Sequence, residues 1–89
     1  MKSVKIEIYT RQGCGYCVRA KALLVEKGVA FTEFDVGHDP VKRAALQEKA
    51  HGRTTVPQIF INDLHIGGCD DLYEMDRKGD LDRLLNLAP

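Results

Sequence analysis

The order of elements legible in this 89-residue chain predicts a small α/β domain built on a four-stranded mixed sheet flanked by helices. Three observations carry that expectation. An alternating apolar segment, a helix-period segment and a second apolar run come first, which makes a βαβ unit with parallel strands and a right-handed crossover. Two short apolar runs farther on are separated by only two turn-forming residues, an antiparallel hairpin. Two helical segments close the chain.

Val4, Ile6 and Ile8 alternate with Lys5, Glu7 and Tyr9, the period of two of a strand. The first helix runs from about Gly15 to Lys27, with Cys17, Ala20, Leu23 and Leu24 on one face and Gly28 as its stop. "VAFTEFDV", Val29 to Val36, is the second strand. "HDPVKRAALQEKAHG" is the second helix, with Asp39 as N-cap, Pro40 at the first helical position and Gly52 as the stop. "VPQIFI" and "LHI" are strands joined by Asn62 and Asp63. "IGGCDDLYEMDRKG" opens a third helix with acidic residues in its first turn, and "DLDRLLNL" is a last helix capped by Asp80. No repeat or linker interrupts residues 1–89, so a single domain is expected.

Thirteen basic residues balance thirteen acidic ones, so no positive field favours nucleic acid. No apolar run is long enough for a membrane span, and the N-terminal "MKSVKIEIYT" lacks the continuous apolar stretch of a signal peptide. The expected location is the cytoplasm. Three cysteines, an odd number, argue against a secreted disulfide framework.

Two of those cysteines lie in "RQGCGYCVRA", at the junction of first strand and first helix. Cys14 falls just before the helix and Cys17 one turn inside it. The free N–H groups of the first turn and the helix dipole favour thiolate over thiol at Cys14. Cysteines so placed have pKa values of roughly 3.5–7.5, against about 8.5 when free. A low pKa adds little to attack, because nucleophilicity falls as the thiolate fraction rises, but it makes Cys14 a good leaving group. Cys17 shares the inward face and is expected to be the more buried thiol. Zinc would need Cys69 and one of His38, His51 or His65, and no second paired motif supplies them. A structural disulfide between residues three apart would close a very small loop and constrain little. The redox pair is the reading that the position after a strand favours.

Other stretches admit two readings each. Pro57 in "RTTVPQ" is either an ordinary proline at a strand start or a cis proline whose preceding residue presents backbone groups to an extended peptide. "IGGCDD" is either a turn and N-cap or an anion site, where Gly67 and Gly68 admit a carboxylate and Asp70 or Asp71 pairs with an amine beside it. That pairing matches the α-amino-acid end of a ligand. Cys69 reads as a small buried residue. Arg11 is either solvated, a support for the thiolate, or a partner for a ligand carboxylate. Tyr16 shields the thiol pair, and the three histidines read as surface residues.

"CGYC" after "IYT", then "TVPQIFI", then "HIGGCDDL", resemble the glutaredoxins in order and over nearly the whole chain. The resemblance implies a thioredoxin-like fold and glutathione-dependent reduction of disulfides. It implies that Cys14 is the nucleophile that takes up glutathione as a mixed disulfide and that Cys17 resolves it. It implies that Arg11, standing where the family usually carries lysine, meets the glycine carboxylate, with Tyr16 lining the same groove. Thr55, Val56 and a cis Pro57 would pair with the cysteinyl part, and Gly68, Cys69, Asp70 and Asp71 would hold the γ-glutamyl end. The implied partners are disulfide-containing or glutathionylated proteins such as ribonucleotide reductase, met by a monomer. The family's dithiol motif usually has proline between the cysteines, whereas this chain has Gly15. Members with glycine there sometimes hold an iron–sulfur cluster between two protomers, through the first cysteine and glutathione. A cluster carrier is therefore the second expectation. An electron donor served by a flavoprotein reductase is the third, disfavoured by Arg11 and "GGCDD".

Overall fold

The computed structural model describes residues 4–87. The elements run β1 (Ile6–Thr10), α1 (Gly15–Glu26), β2 (Thr32–Asp35), α2 (Pro40–Lys49), β3 (Gln58–Ile61), β4 (Leu64–Gly67), α3 (Cys69–Arg77) and α4 (Asp80–Leu84). They form one four-stranded sheet in the order β2-β1-β3-β4. β1 and β2 are parallel, while β1–β3 and β3–β4 are antiparallel. The mixed sheet expected from the βαβ unit and the hairpin is therefore present.

The period of two assigns each face of the sheet its own core. Ile6, Ile8, Ile59 and Ile61 face α1, α3 and α4, and pack with Ala20, Leu23, Leu24, Leu72 and Leu81. Phe60 points the other way and meets Val36, Leu46 and Ala50 beneath α2. β3 is consequently buried along its whole length, which is why "QIFI" carries no polar alternation visible from outside. β2, at the sheet edge, is exposed throughout.

Local chemistry sets the element ends. Asp39 caps α2 by accepting from the backbone N–H of Val41 at 2.9 Å and of Lys42 at 3.3 Å, with Pro40 next in line. Asn62 and Asp63 both take positive φ, 50° and 67°, as a two-residue hairpin turn of the favoured hand requires. Lys27, at the end of α1, reaches Asp76 at 2.5 Å and Asp82 at 2.7 Å, tying α1 to α3 and α4.

Several expected boundaries move: β3 begins at Gln58, after the Val56–Pro57 pair, and α4 ends at Leu84 with Leu85 as its C-cap. The second strand keeps only Thr32–Asp35, because the residues before it leave the ladder with β1. α2 ends at Lys49 with Ala50 as its C-cap, and His51 (φ 57°) turns the chain before Gly52 does. α4 is capped by Gly79 in the left-handed region (φ 82°), so Asp80 is its first residue and not its cap. Among the described residues, no helix is long and apolar enough to cross a membrane.

Candidate active site

β1 delivers the chain to the head of α1. Gly13, at φ 77°, makes the turn out of the strand, and Cys14 becomes the N-cap of the helix in extended conformation. Its Sγ accepts the backbone N–H of Cys17 at 3.2 Å, so the thiol does the work of a capping side chain. Cys14 is 8% exposed and Cys17 2%. Burial, with the hydrogen bond to Cys14 next, pushes the Cys17 thiol up to about 12. The outer sulfur therefore faces a donor that stabilises negative charge, while the inner one is held as a thiol. Both are free cysteines.

The second wall is the segment before β3. The Val56–Pro57 peptide bond is cis, and Pro57 is buried at the strand start. The Cys14 thiol lies 3.7 Å from the Val56 carbonyl, the acceptor that faces it. Gln58 is fully buried, and its amide nitrogen donates to the Thr55 carbonyl at 3.0 Å.

The third wall is the entry to α3. Gly67 has φ 119°, and a Cβ there would collide with the Asp71 carboxylate and crowd Arg53. That close approach lets Asp71 Oδ2 accept the Gly68 backbone N–H at 2.8 Å and pair with the Arg53 guanidinium at 2.8 Å. The Arg53 pair, followed by the Gly68 N–H, holds the Asp71 carboxyl below the usual range. Asp70 is exposed and makes no ion pair among the described residues.

One groove joins the second and third walls and reaches α1 at Tyr16; neither Cys14 nor Cys17 lines it. Tyr16, 59% exposed, stands at one side, and Thr55, Val56 and Pro57 at another. Gly68, Cys69, Asp70 and Asp71 close it. Arg11 does not line this groove. It lines an adjoining one with Cys14, Cys17, Lys21 and Asp35. Cys69 packs into the core at 4% exposure, and burial raises its thiol, as suits a small apolar residue.

Two residues were missed by sequence reasoning. Arg53 reaches Asp71 across 18 positions, a distance at which no helix or strand period could have announced the pair. His65, read as a surface residue, is half-buried on β4, and its Nε2 stands 2.6 Å from Gln58 Oε1. His38 and His51 are exposed as expected. Among the described residues, no group of three His, Cys, Asp or Glu side chains stands together as a metal site.

A C-x-x-C pair capping the first helix of a βαβ unit, beside a proline loop that leads into the central antiparallel strand, defines a dithiol protein of thioredoxin-like fold. The glutaredoxin family model matches residues 6–66, and the chain belongs to that family. It is 56% identical over 80 residues to glutaredoxin 3 of Escherichia coli (strain K12), covering 90% of this chain and 95% of that one. The solution structure of a Brucella melitensis glutaredoxin superposes with a TM-score of 0.84 at 54% identity, over 96% of this chain and 91% of that one. The crystal structure of a buckwheat glutaredoxin–glutathione complex superposes with a TM-score of 0.85 at 32% identity, over 96% and 83%. Family membership supports a thiol–disulfide oxidoreductase role, and the Cys14–Cys17 pair fits the C-x-x-C site of such a protein.

Proposed function

We propose that the protein is a glutathione-dependent oxidoreductase that reduces protein disulfides and glutathione mixed disulfides. The observation that carries this reading is the Cys14 sulfur itself, held at the N-cap of α1 by the Cys17 N–H at 3.2 Å. With a mixed disulfide, the Cys14 thiolate attacks the glutathione sulfur. The S–S bond breaks, the substrate leaves as a thiolate, and a Cys14–glutathione disulfide remains. A second glutathione thiolate then attacks the glutathione sulfur of that adduct, which releases oxidised glutathione and restores the Cys14 thiolate. With a protein disulfide, the Cys14 thiolate attacks one substrate sulfur and expels the other as a thiolate; Cys17 then loses its proton as it attacks Cys14 in that mixed disulfide, the remaining substrate sulfur leaves and takes up a proton, and a Cys14–Cys17 disulfide forms. Two glutathiones reduce it in turn.

Glutathione fits the groove in sections. The exposed Asp70 carboxylate suits the γ-glutamyl ammonium, and the first-turn N–H groups of α3 suit its carboxylate. The backbone of Thr55 and Val56 suits the cysteinyl part, and Arg11, in the adjoining groove, suits the glycine carboxylate. The buckwheat relative, of the same fold, is described as a complex with glutathione. Asp71 is committed to Arg53 and Gly68, so Asp70 is the carboxylate free to meet the ammonium.

The test is turnover of a small glutathione mixed disulfide, with oxidised glutathione as the measured product. Wild type is expected to turn over and Cys14→Ser to lose all activity. Turnover that proceeds equally well with an unrelated small thiol in place of glutathione would refute the glutathione dependence.

A further inference from the structure

The half-buried His65 belongs to a chain of side chains that leads from the back of the sheet to the binding loop. Gln58 Nε2 donates to the Thr55 carbonyl at 3.0 Å, with the Thr55 hydroxyl at 3.4 Å. That leaves Gln58 Oε1, an acceptor only, facing His65 Nε2 at 2.6 Å. His65 Nε2 must therefore carry the proton. In the neutral ring Nδ1 is then an acceptor, and it stands 3.0 Å from Nδ1 of His51. His51 must donate there. The network thus assigns every proton along its length, from His51 through His65 and Gln58 to the Thr55 carbonyl.

We propose that Gln58 and His65 are positioning residues that fix the Thr55–Val56 backbone for its ligand, with His51 selecting the His65 tautomer that makes this possible. The proposal rests on the glutathione reading above and names residues that reading does not use. Thr55 borders the groove, and the next carbonyl, of Val56, faces the Cys14 thiol at 3.7 Å. Neither Gln58 nor His65 lines the groove, so they act through the loop. The surroundings keep His65 neutral. Its ring stacks on Phe60 at 5.0 Å. Arg53 faces it as a positive charge and Asp71 as a negative one. Burial, then His51 and Arg53, push its pKa down. A second proton on the histidine pair would set two N–H groups head to head at 3.0 Å, so the pair accepts at most one without coming apart.

The prediction separates binding from chemistry. His65→Asn offers nothing at the Nε2 position and is expected to raise KM for a glutathione mixed disulfide roughly fivefold, the effect of one net hydrogen bond, with kcat unchanged. His65→Gln places an amide N–H near Nε2 and is expected to restore the wild-type KM. Gln58→Leu is expected to match His65→Asn. The double variant is expected to be no worse than either alone, because both act through one chain. Long-range 1H–15N spectra of the ligand-free wild type are expected to show His65 protonated at Nε2.

An active wild type with unchanged KM in His65→Asn and Gln58→Leu would overturn the positioning role alone. So would a His65 protonated at Nδ1 only. A wild type inert toward the mixed disulfide, with His65 protonated at Nε2, would overturn the glutathione reading and the ligand named here. A KM rise in His65→Gln as large as in His65→Asn would mean that the ring's bulk matters and its proton does not, which also overturns the assignment.

Discussion

Cys14 and Cys17 lie one helical turn apart and yet face opposite environments. Cys14 caps the helix and Cys17 enters the core, where burial raises its thiol to about 12. Cys17→Ser is accordingly expected to retain turnover of a small mixed disulfide near the wild-type level, since a second glutathione can resolve the Cys14 adduct. It is expected to lose reduction of a protein disulfide that needs both thiols, measured by release of free thiol from the substrate. Equal loss in both assays would show Cys17 to be required for Cys14 to react at all. The two adjacent aspartates divide in the same manner. Asp70→Asn is expected to raise KM for glutathione several-fold and leave the melting temperature in place. Asp71→Asn keeps an amide oxygen that can accept but removes the negative charge shared by Arg53 and the Gly68 N–H, and is expected to cost about 1 kcal/mol in denaturant unfolding. If Asp71→Asn raised KM as Asp70→Asn does and kept full stability, the assignment of the two carboxylates would be reversed.

Among the elements, the entry to α3 has the tightest backbone. Gly67 needs its left-handed φ of 119° and its missing Cβ at once, because Asp71 and Arg53 occupy the space a side chain would take. Gly67→Ala is expected to cost about 2 kcal/mol or more in denaturant unfolding, whereas Gly15→Ala, with open space around it and ordinary φ, should not destabilise. The order of elements was legible because each one advertises itself locally. Ile6 and Ile8 alternate, Asp39 and Pro40 open a helix, and Asn62 and Asp63 make a turn. The thiol pair was legible for the same reason, since cap and core face are properties of one helix. Arg53 with Asp71, and His65 with Gln58 and His51, were not. Their partners lie on different elements, and only the hairpin and the loop after α2 bring them together. Gly79 took the cap of α4 from Asp80 because a chain reversing out of α3 needs positive φ, which glycine adopts without cost.

At the scale of the whole molecule, acid acts through two sets of groups. His65 is lowered by burial first, so the folded protein refuses a proton that the unfolded chain accepts below about pH 6.5. Glu33 is lowered first by the Thr10 hydroxyl and then by Lys21, and Asp71 first by Arg53. Their stabilisation is present above the unfolded carboxylate values of about 3.9–4.3 and is lost as pH falls through the lower folded ones. The melting temperature is therefore expected to fall in two stages on acidification, the first from about pH 6.5 and the second below about pH 4.3. His65→Gln should abolish the first stage only. A single transition in wild type, unchanged in that variant, would contradict the sign for His65. The molecule also couples its fold to its reagent. The sulfur that closes the first turn of α1 is the one proposed to react, so an adduct at Cys14 would turn the cap that accepts the Cys17 N–H into a disulfide sulfur, a weaker acceptor. On that reading each cycle would loosen and retighten the cap of a helix, and the stability of α1 would follow the redox state of the thiol that begins it.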